Sequence, residues 1–275
     1  MAVSSPTSKL AGHVAVVTGA NAGIGAATAE RLAADGASVL VAYLRLDSHG
    51  DPAAPDRYYD ERRRSGTDVV DGIEATGVRA VALEADLADP AAPAHIFDHA
   101  EAELGPVDIL VNNASGWAQD TFSASSVDHL GRAMAPVTAE TIATNFDVDS
   151  RATALLIAEL ARRHTERGAT WGRIVGLTSG GPMGFPSEVS YGAAKAAQEN
   201  YTMAASVELA PLGITANIVY PPVTDTGWVT DDVRAFVAQS SDHHHVAEPA
   251  EVAEVIAWLC SEEARLVTGN VIRLR

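Results

Sequence analysis

Cysteine and basic residues are scarce in this 275-residue chain, and each shortage excludes a class of function. The single cysteine, Cys260, rules out an intrachain disulfide and a cysteine-based metal site, and its apolar neighbours predict a small buried core residue. Nineteen Lys and Arg against 36 Asp and Glu give a formal net charge of −17. Such an acidic surface repels nucleic acid phosphates and anionic headgroups, so we expect no nucleic acid and no membrane as partner.

Long apolar runs are missing as well. No segment approaches the roughly 18–20 apolar residues that span a bilayer, and the opening MAVSSPTSK lacks the apolar region of a secretory signal. We therefore expect a cytoplasmic protein. With 47% apolar and 20% charged residues, the composition suits one folded domain over 1–275, in which residues 1–11 form an N-terminal tail.

Seven runs rich in β-branched residues alternate with six longer, Ala-rich amphipathic stretches. Strands are predicted near 13–18, 38–44, 79–84, 107–112, 172–178, 214–220 and 270–274. Helices are predicted near 23–35, 65–77, 91–104, 138–167, 190–210 and 248–261. The alternation is typical of βαβ units and predicts an α/β fold with a doubly wound, seven-stranded parallel sheet and helices on both faces.

Three segments interrupt this alternation. Residues 45–64 are too long for an ordinary connection and predict an insertion or a short extra helix after strand 2. Residues 115–137 and 221–247 both follow predicted strands at their carboxyl ends, where open α/β sheets bind ligands. We interpret them as substrate walls, and 221–247 as a substrate lid.

A glycine-rich turn joins the first strand to the first helix. Gly19, Gly23 and Gly25 stand in a Gly-x3-Gly-x-Gly spacing, which allows a tight turn and a close approach of phosphate to helix N-terminal amides. The spacing departs from G-x-G-x-x-G and has no Walker lysine. The glycines could serve the turn alone, but their place between strand and helix favours dinucleotide binding.

Tyr191 and Lys195 open a predicted helix four residues apart, which places both side chains on one face. A phenol titrates near pH 10, and a neighbouring ammonium favours its ionised form, so Tyr191 is a candidate general acid/base. The pair alone is a weak signal because many amphipathic helices carry a Tyr and a Lys by chance.

The order of the motifs is more specific than any one of them. T-G-x3-G-x-G at 18–25, N-N-A at 112–114, Asn145, Ser179 and Y-x-x-x-K at 191–195 resemble the classical short-chain dehydrogenases/reductases over nearly all of residues 12–274. The chain is similar to the 3-oxoacyl-(acyl carrier protein) reductase-like members. The resemblance implies a single-domain Rossmann fold and a homotetramer or homodimer.

The resemblance also implies four catalytic residues. Tyr191 would be the general acid/base, and Lys195 would lower its pKa and hydrogen-bond the nicotinamide ribose. Ser179 would orient the substrate oxygen and stabilise its developing charge. Asn145 would hold a water that links Lys195 to solvent.

The cofactor residues implied by the resemblance lie in turns that follow the strands. They are Gly19, Asn21, Gly23, Ile24 and Gly25 of the first turn, Tyr43 and Arg45 after strand 2, Asp86 and Leu87 beside the adenine, Asn113 and Ala114 in the cleft, Tyr191, Lys195, Pro221, Val223 and Thr226.

Some positions depart from the family pattern. Ser115 stands where a glycine is usual, and Ser179 lies twelve rather than thirteen residues before Tyr191, which leaves Thr178 as a substitute. Tyr43 stands where NAD-using relatives carry Asp, and Arg45 could pair with a 2′-phosphate. We therefore expect NADP rather than NAD, although Asp47 and Asp51 nearby count against it.

Trp117, Met183, Phe185 and Trp228 are the candidate substrate residues, and they suit a hydrophobic or cyclic ketone or alcohol. They serve equally well as loop packing. Residues 243–245 are three adjacent histidines without the spacing of a closed metal site, so we expect no metal.

These observations favour an NAD(P)-dependent oxidoreductase that moves a hydride between nicotinamide and a carbonyl or secondary alcohol. Two alternatives remain open. One is an epimerase or dehydratase that retains its cofactor, and the other is a non-catalytic protein that senses a dinucleotide.

Overall fold

Seven parallel strands form the central sheet of the computed structural model, which describes residues 8–46, 55–128, 131–181 and 183–275. The strands stand in the order β3-β2-β1-β4-β7-β8-β9. Their bounds are β1 Val14–Thr18, β2 Ser38–Tyr43, β3 Ala80–Glu84, β4 Ile109–Asn112, β7 Gly172–Leu177, β8 Ile214–Tyr220 and β9 Val271–Arg273. The predicted doubly wound parallel sheet is confirmed, and the direction of winding reverses between β1 and β4.

Helices cover both faces of the sheet. They are α1 Gly23–Ala34, α2 Asp56–Arg63, α3 Thr67–Glu74, α4 Ala92–Glu103, α5 Ala139–Asn145, α6 Thr153–Glu166, α7 Val189–Glu208, α8 Asp231–Gln239 and α9 Pro249–Cys260. Short 3₁₀ turns at Ala210–Leu212 and Glu262–Ala264 follow α7 and α9.

The alternation of side chains along each strand divides the core into two layers. In β1, Ala15 and Val17 pack on the side of α1, α3 and α9, whereas Val14 and Val16 pack on the side of α4 and α6. Cys260 is fully buried in the first layer, as predicted. Both faces are apolar because both are covered.

The chain from 139 to 166 departs from the prediction of one continuous helix. A π-helical segment, Phe146–Ala152, separates α5 from α6. Each π turn takes up an extra residue and rotates the following side chains relative to an α-helix. This rotation brings Asp149 to the buried side.

The three irregular segments carry structure of their own. The 45–64 insertion contains α2, while its residues 47–54, with Asp47 and Asp51, lie outside the described residues, as do residues 1–7 of the tail. The 115–137 segment holds a two-stranded parallel pair, β5 Asp120–Thr121 and β6 Ala135–Pro136, and 221–247 holds α8. Among the described helices, none is long and apolar enough to cross a membrane.

Candidate active site

A cavity of about 880 Å³ opens at the carboxyl ends of the parallel strands. Its walls come from the glycine turn, residues 113–117 after β4, residues 177–179 at the end of β7, the start of α7, α2 and the 221–230 segment. This sheet-edge cavity spans the point where the winding reverses, the usual ligand position in open α/β sheets.

The glycine turn forms one wall in a conformation that requires glycine. Gly19 and Gly23 have φ values of +62° and +56°. A Cβ on Gly25 would lie 2.2 Å from the carbonyl oxygen of Gly19, so Gly25 permits the close packing of the turn. Asn113 ties the turn to β4 through hydrogen bonds from Nδ2 to the Thr18 and Gly19 carbonyl oxygens, at 2.8 and 3.1 Å.

The N-terminus of α1 faces this wall. No described side chain caps its first turn, so the amide groups there remain available to an anion. Gly19, Asn21, Gly23 and Ile24 line the sheet-edge cavity, and Asn21 also donates from Nδ2 to the Arg64 carbonyl oxygen at 2.9 Å.

Near the end of β2, the basic residue that lines the cavity is not the predicted one. Tyr43 lines the cavity and its hydroxyl lies 3.1 Å from Ser65 Oγ. Arg45 is not among the described lining residues, because its guanidinium turns to Glu84, with Nη2 2.7 Å from Oε2. Arg62 of α2 lines the cavity instead and stacks on the Tyr58 ring at 4.2 Å.

Tyr191 lies in the first turn of α7 and carries two serine partners. The hydroxyls of Ser115 and Ser179 both act on its phenol and lower its pKa. Thr178 donates elsewhere, to Glu199 Oε1 at 2.6 Å. Ser179 rather than Thr178 therefore faces Tyr191, and Ser115 adds a hydroxyl that the sequence marked only as a departure from glycine.

The Lys195 ammonium lies one helical turn beyond Tyr191, 5.7 Å from the centre of its ring. It is buried and donates to the Leu177 carbonyl oxygen and to Gln198 Oε1, both at 3.0 Å. Its ionic partner is Asp149, whose Oδ1 lies 2.9 Å from Nζ. Asp149 was missed in the sequence because a helical interpretation of 138–167 gave no reason to bury it.

Asn145, for which the family resemblance implies a place in a proton relay, is held by hydrogen bonds to the loop after β4, and its relay role stays a prediction. Its side chain is fully buried and accepts from the Ala118 amide at 3.0 Å, while Nδ2 donates to the carbonyl oxygens of Ala118 and Thr141. Asn145 is not among the described residues that line the cavity. Its amide fixes the loop after β4, and Asp149, one turn on, is the residue that contacts Lys195.

The environment of Tyr191 keeps its phenol protonated. Burial is the main cause that raises the pKa of Tyr191, and the negative charges of Asp149 and Glu188 raise it further. The hydrogen bonds from Ser115 and Ser179 act in the opposite direction but are smaller. Tyr191 is thus a proton donor at neutral pH.

Aromatic side chains form another part of the cavity wall. Trp117 donates from Nε1 to Glu188 Oε2 at 2.8 Å, Trp228 donates to the Thr224 carbonyl oxygen at 2.9 Å, and the Phe185 ring lies 5.9 Å from that of Tyr191. All three rings line the cavity. Met183 was predicted beside them but is 90% exposed and is not among the lining residues described, because the loop turns it outward.

Two further features of this wall were not predicted. Arg132 lines the cavity and bridges Glu188 Oε1 at 2.9 Å and Asp128 Oδ2 at 2.7 Å. Tyr58, from the insertion, is buried against Trp117, and burial raises its pKa to about 12.

The other predicted cofactor residues all line the same cavity: Asp86, Leu87, Asn113, Ala114, Pro221, Val223 and Thr226. Among the described residues, no three His, Cys, Asp or Glu side chains converge on a metal-binding position. His245 pairs with Glu251 at 2.9 Å.

A family profile described as "Enoyl-(Acyl carrier protein) reductase" matches residues 19–274 of the chain. The chain belongs to the classical short-chain dehydrogenase/reductase family. It is an NAD(P)-dependent oxidoreductase of that family.

Relatives in this family match over almost the whole chain. A cis-4-hydroxycyclohexanecarboxylate dehydrogenase of Sinomonas cyclohexanicum is 36% identical over 94% of each chain. A 3-oxoacyl-[acyl-carrier-protein] reductase of Escherichia coli is 30% identical over 96% of each. A short chain dehydrogenase of Burkholderia cenocepacia, solved in complex with NADP, is 31% identical, covers 97% of each chain and superposes with a TM-score of 0.79.

The residues present fit the dinucleotide of this family. The space that a Cβ on Gly25 would take is filled by the Gly19 carbonyl and the Asn113 side chain, so glycine is required for the turn to pack this closely beside the cavity. The uncapped first turn of α1 offers amide donors to a pyrophosphate, and Lys195 and Thr226 line the same cavity.

Proposed function

We propose that this member of the short-chain dehydrogenase/reductase family is an NADP(H)-dependent enzyme that interconverts a ketone and a secondary alcohol. Its substrate is apolar and cyclic or aromatic. The observation that carries the proposal is the convergence of Tyr191, Ser179 and Lys195 with the glycine turn in one cavity. Trp117, Phe185 and Trp228 support the substrate class, because flat rings favour an apolar ring system.

The chemistry needs a hydride and a proton at the two ends of one carbonyl group. A dinucleotide held by the glycine turn, the α1 amides and Lys195 would supply the hydride for reduction and take it up in oxidation. Tyr191 donates its phenolic proton to the carbonyl oxygen, and the Ser179 and Ser115 hydroxyls stabilise the negative charge that develops there. Lys195, fixed by its three partners, holds its charge close to Tyr191.

The experiment that tests this function follows reduced-cofactor absorbance with cyclic, aromatic and β-keto carbonyl compounds. Tyr191→Phe should lose about 10²-fold to 10⁴-fold in kcat/KM because the proton donor is gone. NADPH affinity should persist. Tyr201→Phe, on the same helix but half exposed outside the cavity, is the matched control. Equal turnover by Tyr191→Phe and wild type would refute the assigned mechanism.

The same assay separates the alternatives. Product formation without net change in nicotinamide absorbance would identify an epimerase or dehydratase that retains its cofactor. NADPH binding without turnover on any compound would identify a sensing protein.

The preference for NADP rests on the residues at the ends of β2 and α2. Tyr43, rather than a carboxylate, ends β2, and Arg62 brings a guanidinium to the cavity. Arg62 is therefore better placed than Arg45 to pair with a 2′-phosphate, since Arg45 is engaged by Glu84.

A binding titration distinguishes the two arginines. Arg62→Ala should weaken NADPH about 10-fold or more and leave NADH nearly unchanged, because only NADPH carries the extra phosphate. Arg63→Ala, next in the helix and ion-paired with Asp60, is the control. A selective loss in Arg45→Ala with none in Arg62→Ala would restore Arg45 as the phosphate partner.

A further inference from the structure

A buried carboxylate next to the catalytic lysine is the feature that the function proposed above leaves unexplained. Asp149 is 0% exposed, and its Oδ2 accepts the Gly116 amide at 2.9 Å. Oδ1 lies 2.9 Å from Lys195 Nζ. A carboxylate with so little contact with water is costly unless a charge partner and hydrogen bonds compensate it, so the two groups depend on each other.

The π-helical segment determines this contact. Asp149 and its neighbour Asp147 lie in the same turn, but Asp147 pairs with Arg151 at 2.6 Å. Only Asp149 is turned towards α7. The carboxylate thus joins the Leu177 carbonyl and Gln198 in fixing the position of the Lys195 ammonium.

The charged side chains near Tyr191 come from several elements. Its own helix supplies Lys195 and, at its start, Glu188, whose charge is met by Arg132. The π-helical segment supplies Asp149. The other titratable groups on the cavity wall are Tyr43, Tyr58, Glu61 and Arg62, the last three of α2, with Asp86, Glu140, Asp147, Tyr220 and His243. Close to the phenol, the positive charge of Lys195 is therefore balanced by Asp149.

We propose that Asp149 is a positioning residue that anchors Lys195 and offsets its charge at Tyr191, so that the phenol ionises at higher pH and alcohol oxidation, which needs the phenolate, is held back. The proposal rests on the proposed oxidoreductase function and on the role of Tyr191 in it. In contrast, an unbalanced Lys195 would favour the phenolate, the form that accepts a proton in alcohol oxidation.

The direction of the effect on Tyr191 agrees with this geometry. After burial, the Asp149 charge is the largest cause that raises the pKa of Tyr191. Removal of that charge should lower the pKa and make the phenolate available at a lower pH.

The test compares Asp149→Asn with wild type. The amide keeps the size of the side chain and an oxygen that can accept the Gly116 amide, but removes the charge. Ionisation of Tyr191 is measured from ultraviolet difference spectra against the Tyr191→Phe variant of each background. We expect an acid shift on the order of one to two pH units in Asp149→Asn. An unchanged or alkaline midpoint would overturn the proposal.

The pH profile of turnover gives a second readout. In Asp149→Asn, the rising limb of kcat/KM for alcohol oxidation should move to lower pH by the same shift. Glu159→Gln removes one carboxylate from the same helical run and contacts Arg162 and Arg163 instead, so its profile should match wild type. A matching shift in Glu159→Gln would show a general charge effect and overturn the assignment to Asp149.

A pair of stability measurements keeps the proposal testable if Asp149→Asn folds poorly. Lys195→Met leaves the buried carboxylate without its partner and should lower Tm. Combining Lys195→Met with Asp149→Asn should restore Tm, and failure to do so would contradict the pairing. These readouts and the tyrosine titration need no substrate, so they stand even where the turnover panel refutes the proposed function.

Discussion

Two serine hydroxyls lie at the phenol of Tyr191, and the contribution of each to catalysis can be measured. Removing one donor from a site that stabilises an oxyanion typically costs about 10²-fold to 10³-fold in kcat. Because Ser115 remains, we expect kcat of Ser179→Ala to fall only about 10-fold to 100-fold. In the double variant with Ser115→Gly and Ser179→Ala, kcat should fall by at least about 10²-fold to 10³-fold. The measurement is kcat at saturating NADPH.

Ser206→Ala is the control for a lost hydroxyl in the same part of the chain, since Ser206 Oγ donates to the Met203 carbonyl oxygen within α7. Equal losses in Ser179→Ala and in the double variant would show that Ser115 takes no part in stabilising the oxyanion.

Residues whose placement depends on local geometry were predictable. Tyr191 and Lys195 stand one helical turn apart, so their spacing alone puts them on one face. Arg45 was misplaced because a partner outside its own segment decides where its long side chain turns, and Met183 was misplaced because its loop turns it outward. Glu84 on the neighbouring strand draws Arg45 away, and no periodicity in the sequence reports that contact.

Helices and strands were predictable where the apolar residues follow one period without interruption. All seven strands of the main sheet lie where alternation and β-branched composition placed them. The break in the helix from 138 to 167 was not, because a π turn inserts one residue without a proline or glycine signal. The same break that escaped prediction carries Asp149, the ionic partner of Lys195.

Two irregular elements also meet in a way that only tertiary structure reveals. Gly227 of the 221–247 segment has φ +98°, and a Cβ there would lie 3.2 Å from the Tyr58 Cα in α2. Arg57 and Asp225 form an ion pair at 3.6 Å across the same junction. The insertion and the predicted lid therefore pack on each other as one wall.

This junction gives an element-scale prediction. Gly227→Ala should cost about 1–3 kcal/mol of stability from backbone strain, and crowding of α2 should add to it. NADPH affinity should fall more than NADH affinity because Arg62 belongs to α2. Thermal unfolding and cofactor titrations measure the two effects.

Gly168→Ala is the control that measures the cost of backbone strain without crowding of α2. Gly168 has φ +65°, and no described atom lies within 4 Å of the position its Cβ would take. If Gly227→Ala and Gly168→Ala shift Tm equally and leave the two cofactor affinities unchanged, α2 does not depend on this contact.

At the scale of the whole molecule, the site follows from topology. Parallel strands bring the ends of β1, β4, β7 and β8 to one edge, so motifs up to 200 residues apart in sequence meet in one cavity. This edge was predicted from the parallel sheet itself, because open α/β sheets bind ligands at the carboxyl ends of their strands. The assembly as a homotetramer or homodimer stays a prediction.

A protein with a net charge of −17 should repel the proposed cofactor at long range, because the cofactor is itself an anion. Raising the ionic strength from about 0.01 to 0.15 M shortens the Debye length from about 30 to about 8 Å. The repulsion between the acidic surface and NADPH acts over the longer distance, whereas the α1 amides and Arg62 act at contact. We therefore expect the association rate constant of NADPH to rise several-fold with salt over this range.

NADH carries less charge and should show a smaller rise in stopped-flow fluorescence. In Arg62→Ala, the association rate constant of NADPH should still rise with salt almost as much as in wild type, because one contact residue changes the long-range field little. The dissociation rate constant of NADPH should increase in this variant. An association rate constant that falls with salt from the lowest concentration onward would mean that a local positive field already governs entry. In that case the acidic surface would be too distant from the cavity mouth to oppose the cofactor.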